Sequence, residues 1–366
     1  MTVTHRTQLQ TSTQRDSWVE INLSALERNY KKLRELLNTD IMAIVKADAY
    51  GHGACAIAPV LQSLGVKSFG TATVDEGIAL RNAGIKVPIV ILGATPFWAY
   101  ESCFTNNLTI TIYSIFQLQQ IEDFSKKINS KIPVQIKIDT GMNRLGIDYN
   151  ETSQVIKSII DSPYFQLEGI FTHLSDTKNH EFSKIQKERF DLTTNKFKEL
   201  KIPMHIANSY AAINYLDFRY DMVRLGIALY GQEFNFLEPI ISLKGRITRI
   251  HKVLRGESVS YERTWTAQSD SLIATLPIGY ADGIDRRLSN KITSMYNRKE
   301  IKQVGTITMD QMMFDISSIK DPKIGDIITL LGKDKPLKLW AEILGTITYE
   351  LTCRLKMRLP RVYTRD

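Results

Sequence analysis

Across about two hundred residues, apolar runs of strand length alternate with stretches of helical period, and this alternation leaves few folds open. The strand-like runs fall at 41–45, 68–73, 87–92, 108–113, 134–138, 167–171, 204–207 and 222–225. Helical stretches separate most of them, for example 74–83, 116–128, 151–160 and 182–200. A capping box, Ser24 with Glu27, opens a further helix whose apolar positions include Leu26, Tyr30, Leu33 and Leu37. Strands buried on both faces read as continuous apolar runs, and parallel neighbours need a crossover helix. Eight such units predict an α/β fold, a (β/α)8 TIM-like barrel. An open doubly wound sheet is the alternative, but no G-x-G-x-x-G follows a strand.

Near 234–239 the alternation stops. Short β-patterned runs follow at 245–253, 271–276, 301–306, 311–316 and 326–331, with one helix expected around 339–344. We divide the chain into a disordered tail (1–16), the barrel (17–242) and a C-terminal mostly-β domain (243–366). The tail is polar and lacks the apolar core of a secretory signal. No apolar run reaches membrane-spanning length, so no membrane partner is expected. The net charge of +8 is spread along the chain without a block of like charges, which gives no support to nucleic-acid binding. Cys55, Cys103 and Cys353 are scattered and show no C-x-x-C spacing. They read as reduced thiols of a cytoplasmic protein, and no metal site is expected.

The chemistry centres on 41–53, IMAIVKADAYGHG. Five apolar residues precede Lys46, and glycines follow, so Lys46 lies at the carboxyl end of a barrel strand, where such folds keep their reacting groups. Partial desolvation there lowers an amine's pKa, and the neutral amine can attack a carbonyl. In the 134–138 strand, Val134, Ile136 and Ile138 share one face, which sends Gln135 and Lys137 into the barrel. A buried lysine needs a partner or a modification. Arg144, on the next loop, can fork onto a carboxylate. His173 closes another strand. Ser209, Gly226 and Ile227 lie in the loops after the last two strands, where barrels often bind phosphate. In the last third, PIGYADG around Tyr280 and the segment Met309-Asp310-Gln311 are too specific for scaffold.

Taken together, KADAYGHG, KIDTGMNRLG, FTH, ANS, VRLGIALYG, PIGYADG, MDQ and YELTCRL…RVY resemble the alanine racemase family in order and spacing, from Trp18 to Tyr363. The resemblance implies a homodimer with shared active sites and pyridoxal 5'-phosphate held covalently on Lys46. It implies phosphate contacts from Tyr50, Ser209, Gly226, Ile227 and Tyr349, with His173 against the cofactor ring and Arg224 at its pyridine nitrogen. Arg144 and the Met309 backbone would meet the substrate carboxylate. Lys137 matches a lysine often carbamylated in the family. Racemisation removes a proton from one face of a carbon and returns it to the other, so it needs two acid/base groups, Lys46 and Tyr280. A free tyrosine has a pKa of about 10, so positive charge is expected beside it, from His173 and Arg224.

Two positions depart from the family pattern. Thr306 and Thr308 stand where relatives often carry arginine and cysteine, which bears on access electrostatics. Asp48 replaces a common asparagine. The resemblance implies interconversion of L- and D-alanine, supplying D-alanine for peptidoglycan. A broad-specificity amino-acid racemase is the nearest alternative. A barrel-type decarboxylase would place a carboxylate where this chain has Arg224, and a non-catalytic pyridoxal-phosphate-binding protein would not need Tyr280.

Overall fold

The structure, a computed structural model, describes residues 14–366. These form two units: Glu27–Leu229, and the described residues up to Leu26 together with Tyr230–Asp366.

The first unit is the expected barrel. Its parallel strands are Asp40–Ile44, Ser68–Thr71, Ile89–Ile91, Thr109–Ile112, Ile132–Asp139, Phe165–Phe171, Met204–His205 and Met222–Leu225. They pair in chain order, and the last pairs back on the first with Val223 opposite Ile41. The remaining seam, beside the short Met204–His205 strand, is closed by three bonds. Asp221 N donates to Met204 O (3.2 Å), Met204 N to Asp221 Oδ2 (2.8 Å) and Arg224 N to Ala207 O (3.0 Å). Met42, Ile44 and Val90 cluster with Leu92, Tyr50 and Met222, although their strands are not all neighbours; this is the barrel interior. Gly70 makes room for it, since a Cβ there would stand 2.7 Å from Ile44 Cδ1.

The second unit is a nine-stranded sheet. Its order is Arg249–Val253, Ser271–Leu276, Met312–Asp315, Lys299–Val304, Thr293–Tyr296, Ile327–Leu331, Ile241–Arg246, Ser17–Asn22 and Arg361–Thr364. Ser17–Asn22 corrects the boundary expected at residue 17. It alternates buried and half-buried residues, as a sheet strand with one wet face does, whereas the barrel strand Asp40–Ile44 is buried after its first residue. It pairs antiparallel with Ile241–Arg246 and parallel with Arg361–Thr364.

Of the expected tail, residues 1–13 lie outside the described part. Its end is tied down, with Arg246 N donating to Asp16 O (2.7 Å) and Arg15 paired with the buried Asp282. The first helix, Leu23–Leu37, is capped by Asn22, whose Oδ1 accepts from Ala25 N (2.9 Å), and not by Ser24. One late helix was expected and two are present, Leu337–Leu344 and Thr348–Arg354.

Candidate active site

Lys46 follows the last barrel-ladder bond on its strand, Val45 N to Gly70 O (3.0 Å). The chain then does something L-residues avoid. Ala47, Asp48, Ala49 and Tyr50 have φ of 51°, 54°, 53° and 56°, one turn of left-handed helix without a glycine. Each such residue costs about 1–2 kcal/mol, so the turn needs support from outside itself. Ala47 N donates to Glu76 Oε1 (2.7 Å), Ala49 N to Val45 O (2.8 Å) and Ala54 N to Asp48 Oδ1 (2.7 Å). Asp48 thus serves as a side-chain cap on the next helix, Ala54–Ser63.

The turn delivers the Tyr50 hydroxyl to the loop after the last barrel strand. A Cβ on Gly226 would stand 2.6 Å from Tyr50 Oη, so only glycine admits this approach. Ser209 opens the short helix Ser209–Asn214, and its Oγ accepts from Gly226 N (3.2 Å) and Ala228 N (3.4 Å). Ile227 stands between those amides. Hydroxyls and main-chain N–H groups therefore gather at one end of the barrel, beside the Lys46 strand, as a phosphate requires.

Arg224 lies on the last strand and is 4% exposed. Its guanidinium donates to His205 O (2.9 Å), Thr172 O (2.7 Å) and Ile206 O (2.9 Å). It also donates to His205 Nδ1 (2.8 Å) and His173 Nδ1 (3.2 Å). Burial pulls its pKa down to about 9, while this set of acceptors holds it protonated. Because arginine can only donate, His205 Nδ1 is the bare nitrogen, and His205 carries its proton on Nε2, which donates to Gln135 Oε1 (3.0 Å). Burial first, and then Arg224, hold both histidines far below the usual imidazole range. This runs against the expectation that His173 supplies positive charge, since burial and the Arg224 guanidinium both disfavour its charged form.

Lys137 is buried as expected, with its Nζ 5.9 Å from the centre of the Phe171 ring. Among the described residues it makes no ion pair. Burial, Arg144 and Arg224 bring its pKa down to about 8. Arg144 rides the loop that Asp139 organises, where Oδ1 accepts from Gly141 N (2.9 Å), Met142 N (3.0 Å) and Asn143 N (3.1 Å).

The second unit carries Tyr280, Met309 and Tyr349. Tyr280 N donates to Thr308 O and Ala281 N to Met309 O, both at 3.0 Å, so the two conspicuous segments are sewn together by main chain. Gly279 is forced by this contact, as a Cβ would stand 2.2 Å from Thr308 O. Asp282, fully buried, accepts from Gly279 N (2.9 Å) and pairs with Arg15 and Arg358, and Arg358 reaches on to Asp310. Thr308 Oγ1 donates to Gln311 O (3.0 Å) and accepts from Gln311 N (3.1 Å). Thr306 is 2% exposed, and its Oγ1 donates to Tyr261 O (2.9 Å) and lies 3.1 Å from Thr264 Oγ1. Tyr349 begins the second of the late helices, beside Thr348, whose Oγ1 donates to Glu233 Oε1 (2.9 Å).

Glu76, Gln135, His205 and Asp282 were not anticipated. Gln135 faced inward in the alternation and Asp282 lay within the PIGYADG motif; Glu76 and His205 gave no signal.

A parallel barrel with an amine at a strand's carboxyl end, a hydroxyl-and-amide cup and a buried guanidinium defines a barrel-type pyridoxal-phosphate enzyme. Gly226, open where any side chain would fill the cup, fits that cofactor. The comparisons make the class specific. The family described as alanine racemase, N-terminal domain, matches residues 21–233, and the alanine racemase C-terminal domain matches 240–363. The chain is 39% identical to an alanine racemase of a Nostoc species, over 94% of this chain and 95% of that one. Among solved structures, an alanine racemase of Clostridium difficile superposes with a TM-score of 0.91 at 36% identity, covering 96% of each chain. One of Bartonella henselae, with covalently bound pyridoxal phosphate, gives 0.86 at 30% identity, over 95% of this chain and 99% of that one. The chain belongs to the alanine racemase family, and so to the pyridoxal-phosphate-dependent amino-acid isomerases.

Proposed function

We propose that this chain interconverts L- and D-alanine, supplying D-alanine for peptidoglycan in the cytoplasm, as a homodimer whose sites are shared between subunits. One observation carries the reading: the left-handed turn brings Lys46 and the Tyr50 hydroxyl to the barrel end that also holds Ser209, Gly226 and Arg224. Lys46 would hold pyridoxal phosphate, with Tyr50, Ser209, Gly226, Ile227 and Tyr349 on the phosphate. When bound, the cofactor withdraws electron density from the substrate α-carbon. His173, kept neutral, would pack against the ring, and Arg224 would face its nitrogen. As a guanidinium holds its protons, Arg224 orients the ring without handing over a proton.

Arg144 and the Met309 backbone would fix the substrate carboxylate. Lys46 would remove or return the α-proton on one face and Tyr280 of the partner subunit on the other. Two features support a covering partner. Tyr280 and Met309 are 42% and 53% exposed, although main-chain bonds hold them in place. Phe97, Trp98 and Phe116, just after the strands Ile89–Ile91 and Thr109–Ile112, leave a large apolar surface exposed. Burial, Arg144 and Arg224 favour the neutral amine of Lys137, which could add carbon dioxide and release a proton to solvent, leaving a negatively charged carbamate beside Arg144. The cytoplasmic placement rests on scattered cysteines that read as reduced thiols.

The test is direct. Purified protein is incubated with single L-amino acids, and D-isomer formation is followed by optical rotation. Alanine should turn over fastest, with serine slower. Lysine or arginine turning over faster than alanine would move the chain to the broad-specificity class.

A further inference from the structure

The left-handed turn after Lys46 has a partner that the chemistry above does not use. The strands Asp40–Ile44 and Ser68–Thr71 are parallel neighbours, with Ile44 opposite Gly70, and their ladder ends at Val45 N to Gly70 O. Just beyond, each chain turns away and exposes a main-chain N–H, that of Ala47 on one side and Ala72 on the other. Two donors cannot satisfy each other. A single carboxylate stands between them. Glu76 Oε1 accepts from Ala47 N and Oε2 from Ala72 N, each at 2.7 Å, and Thr73 N adds a longer bond to Oε2 at 3.4 Å.

We propose that Glu76 is a positioning residue for the reaction: its carboxylate clamps the Lys46 turn to the neighbouring strand end and so aims both Lys46 and the Tyr50 hydroxyl. This rests on the reading of Lys46 as the cofactor-bearing base. The bond falls on Ala47, the residue directly after Lys46 and the first of the left-handed run, so releasing it frees the backbone on which the amine is mounted. Tyr50 closes the same run, so the clamp also governs how closely its hydroxyl meets Gly226. The two oxygens do different work, and an amide cannot reproduce both, because it offers one acceptor oxygen and a donor.

A bland role must be separated from this one. Glu76 also completes a capping box with Thr73, whose Oγ1 accepts from Glu76 N (3.3 Å) at the start of the Val74–Asn82 helix. Thr73→Ala removes that cap and leaves both carboxylate bonds in place. The experiment compares Glu76→Ala, Glu76→Gln and Thr73→Ala holoenzymes by alanine kinetics and by hydrogen exchange of the peptide covering residues 46–53. In Glu76→Ala, kcat should fall roughly 10- to 100-fold, the effect of an ångström-scale misplacement, with KM within about threefold. Exchange at Ala47 should quicken by at least roughly tenfold. Glu76→Gln, nearly isosteric and so fold-preserving, should lie between wild type and Glu76→Ala in both readouts. Thr73→Ala should lower the melting temperature while keeping wild-type kcat and exchange over 46–53. Wild-type kcat in Glu76→Ala would overturn the proposal. So would Thr73→Ala matching Glu76→Ala in kcat and exchange, since Glu76 would then be a helix cap alone. The exchange readout does not depend on racemase activity, so a failure of the functional reading would show separately, as an inactive wild type.

Discussion

The two units hold their functional groups in opposite ways. In the barrel, Arg224, His205, Lys137 and Ser209 are all buried, each locked by several partners or packed against an aromatic ring. In the β unit, Tyr280, Met309 and Tyr349 stand partly in solvent, and what is locked is the backbone beneath them, through Thr308, Gly279 and the buried Asp282. A buried group is oriented by its neighbours at the cost of desolvation, and in the barrel that cost pulls the pKa of Arg224, Lys137 and His173 down. On the proposed reading, the barrel groups are organised within one chain, whereas Tyr280 would act as second base only against a partner subunit.

The largest test of this contrast mixes subunits. Lys46→Ala and Tyr280→Phe should each lose roughly a thousandfold or more of activity alone. After subunit exchange in equal amounts, about a quarter of all sites should regain full function, because a mixed dimer collects both lesions in one shared site. No recovery, with exchange verified independently, would place Tyr280 in its own chain's site and end the contrast.

Gly226→Ala probes the buried side. Its Cβ would collide with Tyr50 Oη, so cofactor affinity, titrated on apoprotein by absorbance, should weaken about 10- to 100-fold. Unchanged affinity would show that the cup lies elsewhere. Thr308→Val probes the exposed side by deleting the hydroxyl that braces the Met309 turn against Gln311. Turnover should drop about two- to tenfold, and Thr308→Ser should restore it. If Ser and Val variants behave alike, the hydroxyl has no such role.

The smallest effect is in stability against pH. His173 and His205 stay neutral in the fold, whereas unfolded histidine takes a proton below about pH 6.5. The unfolded state then binds more protons, so their contribution is present above that pH and lost as pH falls through it. The urea midpoint should therefore fall between pH 7.5 and 5.5, and less steeply in His205→Gln. Equal slopes in the two proteins would mean that His205 is already protonated in the fold.

Lys46 was legible because an apolar run ending in lysine and glycines marks a strand's carboxyl end, and the eight barrel strands because runs of strand length alternate with stretches of helical period. Ser17–Asn22 was harder. Its residues show a one-sided strand, but nothing local says which sheet takes it, and its two partners lie more than two hundred residues away. The downward shift of His173 was also out of reach, since it depends on burial in the folded barrel and then on an arginine 51 positions on.

By itself, the sequence determined the order of strands and helices, the turn residues and the residue types carrying the chemistry, because period, burial and composition are local properties of a chain. The tertiary structure decided the rest. Gln135, His205 and Arg224 form one hydrogen-bonded line although the first two are 70 residues apart. Glu76 reaches back 29 residues to hold the turn at Ala47. Closing the barrel puts these groups on neighbouring strand ends, and only there does an arginine that can donate but not accept settle which nitrogen of His205 carries its proton.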